Sequence, residues 1–470
     1  MKNSSSPVLL WLRRDLRLDD HPALCAAVAG GAPVIPVFIR DAHFDQLGAA
    51  AKWRFGLGLS SFDQTLRAQN SALTLRSGEP LEVLSTLAYE TGAKQVIWSR
   101  SYDPKTLARD IELKARLEEL GLNPQSHEGF LLREPWSIKT KTGTPFRVYT
   151  PFWRNLRSAG VPAPIGAPAD LSPPRQFPQS EDLADWHLDR EMNRGAAIVS
   201  QHVNVGEDAA LARLDHFLHA ALSDYRDKRD YPALPATSGL SEHVTYGEIS
   251  PRRIWHRAMI TNEINALTDE HFLKELVWRD FAWHLYWHDP NLPDQSWNPK
   301  WQGFPWRRDE AALAAWQRGQ TGVALVDAGM RELHVTGKMH NRVRMIAASY
   351  LSKHLMIDWR EGERFFASHL VDFDPASNAM GWQWVAGSGP DAAPYFRIFN
   401  PERQAKLFDP KGLYVDRYLG DGPEAQAFFA AVPKRWNLSA NAKSPEMIEP
   451  LAKGRNRALE TYAAAFPKSQ

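Results

Sequence analysis

The sequence predicts an α/β protein: an N-terminal doubly wound parallel-sheet domain (1–135), a long linker (136–205) and a C-terminal all-α domain (206–470). Three observations carry this. Short apolar runs alternate with helical patterns through the first domain, which is how βα units build a parallel sheet. Val161–Pro178, VPAPIGAPADLSPPRQFP, is rich in Pro and Ala, the mark of an extended connection over a surface. From about Gly206 onwards, helical periodicity dominates and strand-like alternation nearly vanishes.

Val8–Trp11 reads as a buried strand, after which Asp20-His21-Pro22 opens a helix and Gly30-Gly31 closes it. Val34–Ile39 is a second strand, followed by a helix from about Ser60, a strand at Ala72–Leu75 and a helix from Pro80. Lys94–Trp98 is a strand, a helix runs through Leu120, and a further strand is expected near His127–Leu132. In the second domain the expected helices are Ala209–Leu222, Pro251–Ile260, Leu273–Tyr286, Thr321–Leu333, Asn341–Leu355 and Gly362–Leu370. No GxGxxG follows the first strand and no GxxxxGK[ST] occurs, so a nicotinamide or P-loop reading lacks its phosphate-binding loop.

Apolar content of 43% and charged content of 24% are ordinary for a globular chain. The 18 tryptophans are not, and indoles at that density point to stacking surfaces or electron relays as well as core. One cysteine, Cys25, excludes an internal disulfide and a multi-cysteine metal site, and no metal is expected. A net charge of +1 gives no global pull towards nucleic acid. Arg331, Lys338, Arg342, Arg344, Arg397, Arg403 and Lys406 nevertheless form a local basic set, suited to meeting DNA on one face. No apolar run reaches the length of a membrane span, and MKNSSSPVLL reads as a short polar tail. A cytoplasmic monomer without a membrane partner is the expectation.

The densest chemistry lies in Leu370–Trp384, LVDFDPASNAMGWQW, where Asp372 and Asp374 are followed by Asn378, Trp382 and Trp384. Carboxylates, an amide and indoles in so short a span favour a polar planar ligand over a plain ion pair beside core tryptophans. Just upstream, Asn341, Arg344 and Met345 share one helical face at i, i+3, i+4, which makes Arg344 a natural partner for Asp372. Glu275, Trp278 and Arg279 in ELVWRDF are likewise i, i+3 and i+4; alone they would read as an exposed helical ion pair worth ~0.3–0.5 kcal/mol. Thr237-Ser238-Gly239-Leu240-Ser241 offers hydroxyls and a soft backbone to a phosphate, although such loops are more often plain turns.

GKMHNRVRM, IDWREGERFF, DFDPASNAMGWQW and DAAPYFRIFNP occur in that order between Gly337 and Pro401. Together with VLLWLRRDLRLDDHPAL at the N-terminus and TSGLS, GEISPR and ELVWRDF in the middle, they resemble the photolyase/cryptochrome family of blue-light flavoproteins, over nearly the whole chain. The resemblance is strongest to class I-type cyclobutane pyrimidine dimer photolyases. It implies FAD in the helical domain and an accessory antenna chromophore, a folate or a deazaflavin, in the first. It further implies light-driven electron transfer from reduced FAD to a flipped-out pyrimidine dimer in damaged DNA.

By that resemblance Tyr225 and Thr237, Ser238, Gly239, Leu240 and Ser241 hold the FAD phosphates, with Arg279, Asn341, Arg344, Asp372 and Asp374 around the rest of the cofactor. Asn378 faces the flavin ring. Trp382, Trp359 and Trp306 form an electron relay. Glu275, Trp278, Asn341, Arg342, Met345 and Trp384 receive the lesion. Two rivals remain: a signalling cryptochrome without repair, and a (6-4) photolyase. Asn378 is the photolyase choice at its position, although some animal cryptochromes share it. The short, helix-like Asn437–Gln470 segment weighs against a signalling tail. Glu275 and the Met339-His340-Asn341-Arg342 run weigh against the (6-4) branch, which carries Gln and paired histidines there.

Overall fold

Five short strands, Val8–Leu12 (β1), Val34–Arg40 (β2), Thr74–Ser77 (β3), Gln95–Ser99 (β4) and Asn123–His127 (β5), form one parallel sheet in the order β3-β2-β1-β4-β5. In the computed structural model, residues 6–264, 270–392, 394–395, 397–440 and 445–467 are described. The polar tail Met1–Ser5, Ala393 and Phe396 of the DAAPYFRIFNP motif, and the last residues of the Asn437–Gln470 segment lie outside them.

β1 sits at the centre, with Val8 opposite both Val34 and Gln95, and every residue of it is buried. Strand side chains alternate between faces. Leu10 and Leu12 accordingly join the apolar cluster on one face and Leu9 and Trp11 the cluster on the other. The strand order reverses between β1 and β4, the place where open α/β sheets leave a crevice beyond the strand ends.

Several elements differ from the sequence expectation. The helix expected from about Ser60 begins at Ala49 and runs to Ala68. Gly56 and Gly58 do not break it; a Cβ at Gly56 would stand 2.6 Å from Leu188 Cδ1, and one at Gly58 3.0 Å from Leu16 Cδ1. They are close-approach positions. The strand expected at Ala72–Leu75 is displaced to Thr74–Ser77. The one expected near His127–Leu132 is Asn123–His127, NPQSH, an edge strand that tolerates Pro124. The apolar run that misled the reading, Phe130–Leu132, is buried against the helical domain, where Asp280 Oδ1 accepts from Leu132 N at 2.8 Å.

The rest is helical. His271–His288, Asn341–Ser349, Trp359–His369 and Pro375–Ala386 surround the site described below. Asn341–Ser349 passes into a π-turn at Tyr350–His354, so the expected Asn341–Leu355 helix is not a continuous α-helix. Between the domains, Tyr149–Ala159 is helical and packs on His271–His288, while residues 161–178 carry no helix or strand.

The N-terminal motif and the 49–68 helix tie the two domains together. Arg54, wholly buried, donates to both oxygens of Glu248 at 2.8 Å and to Glu242 at 3.1 Å. Arg253 pairs with Asp19, and Ser250 Oγ donates to Asp20. Tyr246 OH donates to Val371 O at 2.6 Å, one residue before Asp372, so this seam reaches the site itself.

Candidate functional site

A cavity of about 170 Å³ in the helical domain is lined by Asn341, Arg344 and Met345 from one helix and by Asp372, Asn378 and Trp382 from the segment and helix opposite. The i, i+3, i+4 spacing puts the first three on one helical face. Asp372 is buried. Burial alone would raise its pKa, but Arg344 opposes this: its Nη2 donates to both carboxylate oxygens, at 2.8 and 3.0 Å. With a further hydrogen bond from Ser241, the carboxyl is held below the usual range. Arg344 Nε is itself fixed on Met339 O at 2.7 Å.

Asp374 caps the Pro375–Ala386 helix, accepting from Ser377 N at 2.8 Å, and its other oxygen takes Trp283 Nε1 at 2.8 Å. One turn into that helix, Asn378 Nδ2 donates to Glu363 Oε1 at 2.8 Å and Glu363 O at 3.1 Å. The amide is thereby oriented, and among the described residues its Oδ1 takes no hydrogen bond. Glu363 is pushed up to about 7 by burial, against the Asn378 hydrogen bond and Arg364.

Trp382 lies two residues from Trp384, about 200° round the helix. Trp382 lines the cavity and is buried; Trp384 is half-buried, packs on the same core and is not among the lining residues. Gly362 makes room for Trp382: a Cβ there would fall 2.0 Å from the indole Cη2. Trp359 is wholly buried in the same cluster, and its Nε1 has no partner among the described residues. Trp306 is half-buried, brought alongside by a β-bridge between Arg307 and Ile357. Trp382 and Trp359 are thus both buried, and Trp306 is the one of the three that reaches solvent.

Next in the chain to the cavity-lining Asn341, Arg342 Nη2 donates to Asp230 at 2.6 Å, and the Glu275 carboxylate pairs with Arg229. Trp278 lies face to face on Tyr149, centroids 3.6 Å apart and 6° from parallel. Arg279 Nη1 donates to Phe130 O at 3.0 Å, but its buried Nε and Nη2 find no hydrogen-bond acceptor among the described residues. Its Nε stands 3.8 Å from Asp374, which lines the cavity, and burial pulls the guanidinium below its ordinary pKa.

The Thr237–Ser241 loop joins the site through Ser241 and Asp372. Gly239 has φ +63°, and Arg213 from the neighbouring helix lies over it; a Cβ would meet Nη2 at 2.5 Å. Tyr225 is buried among Phe217 and Phe272 and does not line the cavity. Of the cations read as a basic set, Arg331, Lys338, Arg342 and Arg344 are engaged with aromatic rings or carboxylates. Arg397, Arg403 and Lys406 have no carboxylate partner among the described residues.

A second cavity, about 300 Å³, opens beyond the strand ends at the β1/β4 crevice, with Trp11, Arg13, Asp41, Tyr102, Asp103 and Arg109 in its lining. One wall separates the two cavities. Asp372 and Asp374 line the smaller, while Phe373 and Pro375 line the larger.

Sequence reasoning passed over Glu363, Tyr149, Arg229 and Asp230. Glu363 stands inside the quoted IDWREGERFF motif, the one signal that could have found it.

Residues 8–169 match the family model described as DNA photolyase, and residues 272–464 that described as the FAD binding domain of DNA photolyase. The chain is 45% identical to the deoxyribodipyrimidine photo-lyase of Agrobacterium fabrum, over 99% of both chains. A bacterial class III photolyase structure from Agrobacterium tumefaciens superimposes with a TM-score of 0.91 at 44% identity, covering 99% of this chain and 98% of that one. An archaeal photolyase from Sulfolobus tokodaii, solved with two FAD molecules, gives 0.79 at 28% identity over 97% and 100%.

Proposed function

This chain belongs to the DNA photolyase family, and from that premise we propose that it is a light-driven enzyme that splits cyclobutane pyrimidine dimers in DNA. The observation that carries the reading is one cavity walled by an oriented amide (Asn378), a locked ion pair (Arg344–Asp372) and an indole (Trp382). FAD suits this region: Arg279, next to the cavity-lining Asp374, keeps two buried donors without a hydrogen-bond acceptor among the described residues, which suits a ligand rich in acceptor oxygens.

FAD, when bound, supplies the photoexcited electron that opens the dimer. The chain's part is to hold, orient and insulate. Glu363 fixes the rotamer of Asn378, so its Oδ1 stands ready for a ring N–H without adding a charge. Arg344, Asp372, Asp374, Arg279 and Asn341 hold the cofactor, and the Thr237–Ser241 loop takes its phosphates, with Tyr225 behind. Trp382, Trp359 and Trp306 form an oxidisable path towards the surface. At the mouth, Glu275 accepts from a pyrimidine N–H, Trp278 and Trp384 give it flat walls, and Asn341, Arg342 and Met345 close the pocket.

The larger cavity is assigned to an accessory chromophore. Its position across one wall from the flavin supports this, as does the second FAD of the archaeal relative. The motifs were read above as class I-type; the whole-chain likeness to a class III photolyase supports placing this chain in that subgroup. Among the described residues no helix is long and apolar enough to cross a membrane. A cytoplasmic monomer acting on damaged DNA is the accompanying reading.

The test is repair. Photoreduced, flavin-loaded protein mixed with a thymine-dimer oligonucleotide should remove the dimer under blue light and not in the dark. The Glu275→Ala/Trp278→Ala variant should lose this. No turnover by the fully reduced protein would sink the reading, and a (6-4) substrate would be tried next.

A further inference from the structure

Beside the cavity-lining Asn341, at the face assigned above to the lesion, four alternating charges stand in a row. Glu275, on the His271–His288 helix, pairs with Arg229; Arg229 Nε stands 3.9 Å from Asp230; Asp230 accepts from Arg342 Nη2 at 2.6 Å. The row joins the His271–His288 helix to the Asn341–Ser349 helix, which lines the cavity. Its ends, Glu275 and Arg342, are residues assigned above to the lesion; its middle, Arg229 and Asp230, has no role in that account. None of the four side chains is more than 34% exposed. Both cations are also backed by rings, Arg229 by Tyr225 at 5.2 Å and Arg342 by Phe408 at 4.6 Å. The row is electrically neutral where a DNA backbone must arrive.

We propose that Asp230, acting with Arg229, is a specificity-determining residue: it makes an undamaged phosphate backbone a poor ligand and a flipped-out pyrimidine dimer a good one. The inference rests on the repair reading above. A phosphate can recruit Arg229 or Arg342 only by drawing it from its carboxylate. That strands Glu275 or Asp230 in a half-buried position, which is unfavourable. A dimer swung into the pocket brings imide N–H donors with it. Glu275 can accept from those while Arg229 turns to the flanking phosphate, so every charged group ends with a partner. Paired DNA keeps its imide N–H groups inside the helix and leaves the exchange incomplete. Discrimination then comes from weakening the wrong complex, since specificity is a difference of affinities.

The experiment measures binding of the flavin-loaded protein to one duplex oligonucleotide with and without a thymine dimer, in the dark, across a salt series. In Asp230→Asn, Arg342 loses its charged competitor. Affinity for the undamaged duplex should rise roughly three- to tenfold and its salt dependence should steepen by about one phosphate contact. Affinity for the dimer should change less, so the damaged-to-undamaged ratio falls. Asp230→Glu, which keeps the charge, should restore the ratio, and flavin occupancy read from the absorption spectrum should be the same in all three proteins. An unchanged ratio in Asp230→Asn, or an Asp230→Glu protein that behaves like it, overturns the inference alone. If the unaltered protein shows no preference for the dimer, the repair reading falls and the inference falls with it.

Discussion

The floor of the flavin cavity and its mouth are both built from charged and aromatic side chains, yet they are held by opposite means. On the floor the Asp372 carboxylate is buried and locked by a two-pronged contact from a single arginine, with Trp382 seated against a glycine. At the mouth the charges are partly exposed and paired in a row in which Arg229 has two carboxylate claimants, and Trp278 lies flat on one tyrosine. The difference is one between a rigid seat and an exchangeable set of contacts. Preorganisation serves a cofactor that stays, whereas replaceable pairs serve a substrate that comes and goes.

If that contrast is real, changes on the floor should have the larger effects. Arg344→Leu leaves Asp372 buried and uncompensated. A loss of about 3 kcal/mol in stability is expected, with release of flavin on purification, both measurable by thermal melting and by absorbance. A floor that tolerated this change would not be a rigid seat. Next in size is Gly362→Ala, whose methyl cannot coexist with Trp382 in its present position. Overpacking should destabilise by roughly 1–3 kcal/mol and slow flavin photoreduction, followed by transient absorption.

Glu363 gives the third and a pH dependence. Its folded-state value, about 7, lies above that of an unfolded glutamate, so the protonated form is favoured in the folded protein. Its stabilising contribution is present below about pH 4.5 and is lost as the pH rises through about 7. The melting temperature of Glu363→Gln minus that of the unaltered protein should therefore rise between pH 5 and pH 8. A flat difference would mean that Glu363 is ionised throughout.

These residues also mark how far the sequence could be read. The alternating strands, the helical second half and the Asp372–Asn378–Trp382 spacing were legible because each imposes a local pattern. Glu363 was not: in WREGERFF it reads as the solvent side of an amphipathic helix, and only packing against the helix that bears Asn378 half-buries it. The start of the 49–68 helix was hidden by glycines whose purpose is close approach to residues far away in the chain. Arg229 and Asp230 stand in the charge-rich run YRDKRDY, which looks like a solvated surface until its partners from two distant helices are in view. What pattern reading misses is the contact between segments far apart, and it missed most at the mouth, where Glu275–Arg229, Asp230–Arg342 and Tyr149–Trp278 are of that kind.

Tyr149 carries the smallest prediction. It lies in the segment read as linker, yet its hydroxyl donates to Lys274 O at 2.8 Å, its backbone N–H to Asp391 Oδ2 at 3.2 Å, and its ring covers one face of Trp278. With that face occupied, the indole has one face left for a pyrimidine. Stacked aromatic pairs contribute ~0.5–1.5 kcal/mol beyond burial, so Tyr149→Leu, which keeps the apolar cover but not the stack, should weaken dimer binding by roughly three- to tenfold. Because Tyr149 does not line the flavin cavity, the flavin spectrum should hardly move, while the melting temperature falls modestly with the lost stack and hydroxyl hydrogen bond. A Tyr149→Leu protein that lost flavin would mean that mouth and floor are one rigid unit after all, and the separation of seat from exchangeable contacts would have to be given up.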